Sequence, residues 1–196
     1  KKENLLYYGA EYVRNNIVST ADVKNIVTGD TEPAGSRYPN GENIYNSFSL
    51  YGGYKFNLSE KLTVSTGARF NHVSLNSEIA DNSFYNFPFT TIESANSAVT
   101  GAAGAVYRPD SHTELTLNLS TGFRAPNLDD LGKVFESAPG VLVVPNTDLR
   151  PEYLYNIDLG ASREFGKMLL ADASLFFSYL DNAMVRREFL FNGQPT

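Results

Sequence analysis

Few residues in this sequence could perform acid–base, nucleophilic or metal chemistry. The 196 residues include no cysteine and only two histidines, His72 and His112. The lack of cysteine removes disulfides, thiolate metal sites and cysteine nucleophiles. Neither histidine has a serine, an aspartate or a second histidine at the spacing of a triad or a zinc site, and phosphate loops, zinc-protease motifs and calcium loops are absent. We therefore expect no enzyme, no cofactor and no resident metal.

Charge and hydropathy exclude two further classes of protein. The net charge is -6 and the pI is near 4.9, with basic residues scattered along the chain. Nucleic-acid binding requires clustered Lys and Arg, so we expect no nucleic-acid partner. No stretch approaches the roughly 18 consecutive apolar residues of a membrane-spanning helix. The chain is 13% aromatic and only 19% charged, which is unusual for a soluble protein but typical of a membrane β-barrel.

The dominant pattern is an alternation of apolar and polar residues, which predicts β-strands with two different faces. From Leu115 to Phe123 the odd positions are mostly apolar, whereas the even positions from Thr116 to Arg124 are polar or glycine. The same pattern, more or less regular, occurs over 5–18, 48–58, 62–71, 97–108, 153–162, 169–179 and 184–191. We therefore predict an all-β chain, an antiparallel meander of about eight long strands.

Short and long connections alternate between these strands. Tight turns are predicted at 59–61, 109–111 and 165–167, and long connections at 20–43, 78–96 and 126–151. Outer-membrane barrels of bacteria have short periplasmic turns and long external loops, and each strand crosses the bilayer with roughly 9 to 11 tilted residues. Many Tyr and Phe residues also fall near predicted strand ends, where aromatic girdles lie. The strands are therefore predicted to be transmembrane and to contact outer-membrane lipid.

Two motifs around the third long connection carry a family resemblance. The first motif consists of Phe123, Arg124, Ala125 and Pro126. The second motif consists of Asn146, Leu149, Pro151 and Glu152. They resemble the Phe-Arg-Ala-Pro motif and the Asn-Pro-x-Leu-x-Pro-Glu motif of TonB-dependent receptors, in the order and at the separation of that family. Thr147 departs from the pattern, because proline is commoner there.

These motif residues also have physical reasons to occur where they do. Arg124 lies on the polar face of its strand, where we expect it to pair with carboxylates and loop carbonyls. Pro126 ends the strand, and Asn127 is a suitable N-cap for one or two helical turns through Glu136. Pro151 restarts the chain in extended form. We interpret the unit as barrel architecture in preference to a ligand site.

The resemblance implies an importer. It implies that residues 1–196 are one portion of a 22-stranded receptor barrel in the bacterial outer membrane, with the plug domain and both barrel ends outside this sequence. It further implies TonB as the energy-supplying partner, acting through that plug, and a scarce nutrient such as a siderophore–iron complex, haem or a glycan as the ligand. Haem receptors of the family carry a histidine between the two motifs, whereas residues 126–144 contain none.

Loop aromatics are candidates for contact with the nutrient, and two other interpretations of the function of this chain stay open. Phe84, Tyr85 and Phe87 lie within four residues of the second long connection and form a candidate ligand contact. The main alternative is a complete, small eight-stranded outer-membrane barrel that serves as an anchor or adhesin, which predicts pairing between the first and last strands. A soluble β-rich interaction domain is the other alternative.

Overall fold

The computed structural model describes residues 4–84, 86–132, 135–138, 141–143, 146–185, 187–188, 190–191 and 194–195. Its strands in chain order are β1 (Leu5–Ile17), β2 (Asp22–Lys24), β3 (Thr31–Pro33), β4 (Asn43–Asn57), β5 (Leu62–Glu78), β6 (Thr91–Tyr107), β7 (Thr113–Arg124), β8 (Phe135–Ala138), β9 (Val141–Val143), β10 (Glu152–Phe165), β11 (Leu169–Asp181), β12 (Leu190–Phe191) and β13 (Gln194–Pro195). One helical turn, α1 (Leu128–Leu131), precedes β8.

The long strands form one antiparallel sheet with a simple meander topology. Seven strands pair in the order β1-β4-β5-β6-β7-β10-β11, so each long strand lies next to its neighbour in the chain. The short strands form separate hairpins, β2 with β3, β8 with β9 and β12 with β13. This is the all-β meander that the alternation predicts. Among the described residues no helix is long and apolar enough to cross a bilayer.

Connections of very different length lie at the two ends of this sheet. The long-loop end carries a first loop (residues 18–42), a second loop (79–90) and a third loop (125–151), whereas the short-turn end carries the turns at 58–61, 108–112 and 166–168. The predicted alternation of short and long connections is therefore present. The second loop is shorter than predicted, because β6 begins at Thr91 and takes up residues assigned to the loop.

Strand register brings every apolar stripe onto the same face. Leu50 lies opposite Ala10 on one side and Phe70 on the other, and Leu119 lies opposite Ala103 and Ile157. Directly opposed residues point to the same side of a sheet, so one surface is apolar (the apolar face) and the other carries Ser, Thr, Asn and charged residues (the polar face). A one-residue slip would exchange the two, which is why the register is well specified.

Two predictions at the ends of elements were inaccurate. The helix expected through Glu136 ends at Leu131, where Gly132 caps it, and residues 135–138 form β8. Glycine is a poor helix former, and pairing with β9 satisfies the β8 backbone instead; residues 133–134 lie outside the described part. The eighth strand was predicted over 184–191, of which the structure describes all but residues 186 and 189. Among these described residues only Leu190–Phe191 is a strand, and it pairs with β13 and not with the seven-stranded sheet.

The sheet is open in the part of the chain that the structure describes. There β1 pairs only with β4, and β11 pairs only with β10. A closed eight-stranded barrel requires its first and last strands to pair, and these residues show no such pairing. A buried cluster of Leu75, Ile92, Leu128 and Leu131 lies at the long-loop end, where α1 covers the polar face of β5 and β6.

Candidate functional site

The third loop begins with a capped helical turn that folds back onto the sheet. Asn127 is the N-cap, as predicted: its side chain accepts from the Asp130 amide at 3.2 Å, and the Asp130 carboxylate accepts from the Asn127 amide at 3.0 Å. This reciprocal capping satisfies two amide donors that a helix start leaves unpaired. Leu128 and Leu131 are buried in the cluster against β5 and β6. The turn therefore lies across the polar face and does not project outward.

Arg124 connects this turn to two neighbouring strands. Its guanidinium donates to both oxygens of Asp130 at 2.8 and 2.7 Å and to Glu152 at 3.1 Å. Glu152 lies directly opposite Arg124 in the register of β7 and β10, and its other oxygen accepts from the amide of Met184 at 2.7 Å. The arginine is 46% exposed, whereas the carboxylates of Asp130 and Glu152 are only 19% and 14% exposed. The two sequence motifs thus meet through one ion-pair cluster.

The other motif residues surround that cluster. Phe123 and Tyr153 lie on the apolar face with ring centroids 5.5 Å apart. Pro126 is fully buried, and Leu149 packs against the buried leucine and isoleucine cluster. Asn146 accepts from the Asp148 amide at 3.0 Å and so forms a tight turn. Ala125 and Pro151 are half-buried and flank the ends of β7 and β10.

The first loop is docked on the same helical turn from the other side. The Tyr38 hydroxyl donates to Asp129 at 2.9 Å, and the Arg37 guanidinium lies 3.5 Å from the same carboxylate. Burial raises the pKa of Tyr38 above its usual value, and the hydrogen bond to Asp129 adds to the rise. Asp129 and Asp130 are adjacent in sequence but bond in opposite directions, one to the first loop and one to the sheet.

A buried asparagine holds the base of the first loop. Asn43, fully buried, donates to the carbonyls of Ile17 at 2.9 Å, Pro39 at 2.8 Å and Gly41 at 3.2 Å. Its own oxygen accepts from the hydroxyl of Ser77 on β5. One side chain therefore ties the end of β1, the end of the loop and the neighbouring strand together.

The second loop contains the three predicted ligand-contacting aromatics, which have different environments. Phe87 is 8% exposed and stacks on Phe89 at 5.3 Å. The side chain of Asn82 bonds to the backbone of Phe87: it accepts from the Phe87 amide at 2.8 Å and donates to the Phe87 carbonyl at 2.7 Å. Phe84 is 41% exposed, and Tyr85 lies outside the described residues. Of the candidates that the structure describes, Phe84 is the accessible one.

The first two loops contact each other above the buried cluster. Asn40 of the first loop exchanges two hydrogen bonds with the backbone of Asp81 in the second, at 3.0 and 3.2 Å. Hydrogen bonds from Ser83 lower the pKa of the Asp81 carboxyl and keep it charged. The space between these loops and Gly132 is about 20 Å³, room for one water molecule. The described loop segments thus form a cap over the buried cluster at the long-loop end of the polar face.

The histidines are separate from this cap. His72 lies on the apolar face and contacts Ser97 at 2.8 Å, and His112 lies in a short turn, 3.4 Å from Glu164. Within the described ranges no group of three His, Cys, Asp or Glu side chains could hold a metal ion.

A polar cluster on the polar face of the sheet was not predicted from the sequence. Arg69 on β5 bonds to Glu11 at 3.3 Å, Ser49 at 2.8 Å and Asn71 at 2.7 Å, and its guanidinium lies 5.4 Å from the Tyr51 ring centroid. All these residues occupy polar-face positions of β1, β4 and β5. The alternation of polar and apolar residues in each strand indicates that these side chains share one face. Which of them meet across neighbouring strands depends on the strand register.

Comparisons with known proteins agree with this geometry. The family model described as "TonB dependent receptor-like, beta-barrel" matches residues 3–193. The solved structure titled "Copper transporter OprC" has a TM-score of 0.74 at 17% identity, covering 100% of this chain and 30% of that chain. A second solved structure is a double mutant of the Serratia marcescens hemophore receptor HasR in complex with its hemophore HasA and heme. Its TM-score is 0.70 at 15% identity, and the match covers 92% of this chain and 30% of that chain. The comparison with curated proteins gives no match.

These matches identify the sheet as part of a larger barrel. The chain spans about a third of the length of the two solved receptors, which fits an open sheet cut from a larger barrel. The family consists of transporters and not of enzymes, and it resides in the bacterial outer membrane. The chain therefore belongs to the TonB-dependent receptor family and forms part of its transmembrane β-barrel.

Proposed function

We propose that this chain is one portion, residues 1–196, of the barrel wall of a TonB-energised importer that takes up a scarce nutrient across the outer membrane. The observation that carries the proposal is the family match over residues 3–193 together with a seven-stranded sheet that has one apolar and one polar face. Because the chain covers 30% of the solved receptors, the plug domain and the remaining strands are expected outside it. TonB acts through that plug.

The long-loop end is the part of this chain that meets the nutrient. Long loops of outer-membrane barrels lie outside the cell, so the cap formed by the described loops faces incoming ligand. Phe84, Tyr85 and Phe87 are proposed to contribute to ligand contact, with Phe84 directly accessible and the buried Phe87 supporting the loop from within. Asp81 and Asp129 add negative charge nearby.

The residues of the loops support a choice among the candidate nutrients. Solved relatives of this fold include a copper transporter and a hemophore receptor bound to heme. The third loop contains no histidine, and the two histidines of the chain lie on the apolar face and in a short turn. We therefore propose a siderophore–iron complex or a glycan ahead of haem, since these are bound by aromatic and polar side chains without axial metal ligands.

Growth under nutrient limitation tests this proposal. The gene of the full receptor is deleted, and the strain is grown with a ferric siderophore, haem, a copper salt or an oligosaccharide as the limiting source. We expect one nutrient to lose its growth support on deletion, to regain it on complementation and to lose it again when TonB is absent. Unchanged growth on every source would refute an importer, and TonB-independent rescue would refute the energy source.

Loop substitutions then test the ligand contact. Phe84→Ser removes an exposed ring, whereas Phe48→Ser changes an aromatic that is similarly exposed but lies on the apolar face of β4. We expect the first change to weaken nutrient binding several-fold and the second to leave binding unchanged. Equal binding by both variants would withdraw the second loop from the ligand site while leaving the importer proposal intact.

A further inference from the structure

Charged side chains on the apolar face occur only near strand ends. Toward the long-loop end they are Arg14, Glu78, Glu93 and Asp181. Toward the short-turn end, the seven long strands place a single charged side chain on this face, Arg163 of β10, opposite Thr113 of β7 and Ala171 of β11. An arginine on a surface that faces lipid is costly unless it reaches a polar layer.

Arg163 has a defined orientation and forms no salt bridge within the described residues, although the Asp110 carboxylate, whose pKa is lowered first by a hydrogen bond from the His112 amide, is close enough for the arginine charge to lower that pKa further. Its guanidinium lies 5.4 Å from the ring centroid of Phe165, a cation–π contact that holds it along the apolar face. No salt bridge joins Arg163 to another side chain of the described residues. The nearby Asp110 carboxylate is already bonded to the His112 amide at 2.8 Å and the Thr113 hydroxyl at 3.1 Å. The guanidinium donors are therefore available to an external anion.

Small side chains next to Arg163 leave a shallow groove. Ala161 lies opposite Ala173, and Ala171 lies opposite Arg163 itself, so three alanines adjoin on the apolar face. Larger residues border them, since Leu115 lies opposite Ala161 on β7 and Leu169 starts β11, 59% exposed. The groove runs from the guanidinium toward the middle of the sheet. Its three alanines give it an apolar lining against which an acyl chain can pack.

Strand geometry places Arg163 at the level of lipid headgroups. Tyr153 at the other end of β10 lies ten residues away on the same face. Ten residues at about 3.3 Å each, tilted by about 40°, rise about 25 Å, which is the height of the apolar band of an outer-membrane barrel. With Tyr153 in the aromatic girdle at the long-loop end, Arg163 reaches the opposite interface, where phosphate groups lie.

We propose that Arg163 and Phe165 form a binding site for the phosphate of a membrane glycerophospholipid at the short-turn rim, with one acyl chain along the groove of Ala161, Ala171 and Ala173. The planar guanidinium suits bidentate bonding to phosphate oxygens. The inference depends on the family membership and the register of β10. It does not depend on which nutrient is imported.

Lipid binding to the full receptor tests this site. The receptor is purified, delipidated and titrated with phosphatidylglycerol, and bound lipids are counted by native mass spectrometry. We expect Arg163→Gln to weaken the tightest lipid adduct about tenfold, and Arg163→Lys to weaken it less. Arg108→Gln is the matched control, because Arg108 lies at the same end but is paired with Glu114 at 2.5 Å. Equal adducts in wild type and Arg163→Gln would overturn the site.

Two further arms separate the phosphate from the acyl chain. Ala173→Phe fills the groove while leaving Arg163 in place, and we expect it to weaken lipid binding severalfold. Water-soluble glycerol 3-phosphate at the same concentration should not displace the lipid. Displacement by glycerol 3-phosphate, or normal lipid binding by Ala173→Phe, would refute the groove. Heat-modifiable gel migration verifies that each variant is a folded barrel before lipids are counted.

Discussion

Replacing Arg124 with glutamine removes the cation that holds two carboxylates at the base of the third loop. In the native structure Arg124 bonds to Asp130 of α1 and to Glu152 of β10. Glutamine keeps the approximate length and polarity of the side chain but cannot neutralise either carboxylate. We expect α1 to detach from the sheet more often, while the strands stay folded because their ladders do not depend on this residue.

The size of the effect follows from burial. Removing one partner of a fully buried ion pair costs about 3–5 kcal/mol, and a single hydrogen bond to a charged group contributes about 1.5–3 kcal/mol. Arg124 is 46% exposed, so water screens it, whereas its partners are 19% and 14% exposed and would be left without their cation. We therefore expect the opening of α1 to become about 2 kcal/mol easier, which is roughly a 30-fold change in its equilibrium.

Hydrogen exchange in the full receptor measures that opening. The amides of Leu131 and Gly132 bond to the carbonyls of Asn127 and Leu128 at 2.9 Å each, so they exchange only when α1 opens. We expect the peptide that covers them to exchange roughly 30-fold faster in Arg124→Gln, which follows from the 2 kcal/mol above. Peptides from the middle of β5 should exchange at the wild-type rate.

A matched substitution separates this clamp from a general charge effect. Arg37 also lies near α1, but it is 3.5 Å from Asp129 and both side chains are more than half exposed. Such pairs contribute less than about 1 kcal/mol, so Arg37→Gln should accelerate exchange less than about fivefold. A change below threefold in Arg124→Gln, or equal acceleration in β5, would refute the clamp.

Three further predictions concern the first loop. Asn43→Ala should destabilise the receptor by about 2–3 kcal/mol in urea unfolding, because it removes the side-chain donor of one buried and two partly buried carbonyls, whereas Asn46→Ala on the apolar face should cost less. Gly41→Ala should lower the thermal midpoint, since its Cβ would lie 2.5 Å from a β5 carbonyl oxygen; Gly52→Ala, with 3.6 Å to its nearest atom, should not. The phenol of Tyr38 has a raised pKa, so its bond to α1 should be complete below pH 10.0 and be lost as pH rises through that higher value; the absorbance titration of wild type minus Tyr38→Phe should have its midpoint above 10.0.

Several features of this protein were determined by the sequence alone. Alternation over long segments predicted the strands, because side chains of an extended chain point to opposite faces in turn. The spacing of the turns predicted the meander and the two unlike ends of the sheet. The paired motifs around Arg124 and Glu152 indicated the family, and the family match over residues 3–193 confirmed it. Alternation, turn spacing and motifs are local features of the sequence, so each can be recognised without knowing which distant residues come into contact.

The way these elements combine depends on contacts between distant parts of the chain. Arg124 and Glu152 are 28 residues apart in sequence, and the register of β7 and β10 places them opposite each other. The helical turn was predicted too long: Gly132 caps it after Leu131, and residues 135–138 pair with β9, a contact that local propensity does not encode. Asn43 was not predicted as a buried junction, because its partners come from both ends of the first loop and from β5. Contacts between distant segments depend on register and loop packing, and a one-dimensional pattern fixes neither.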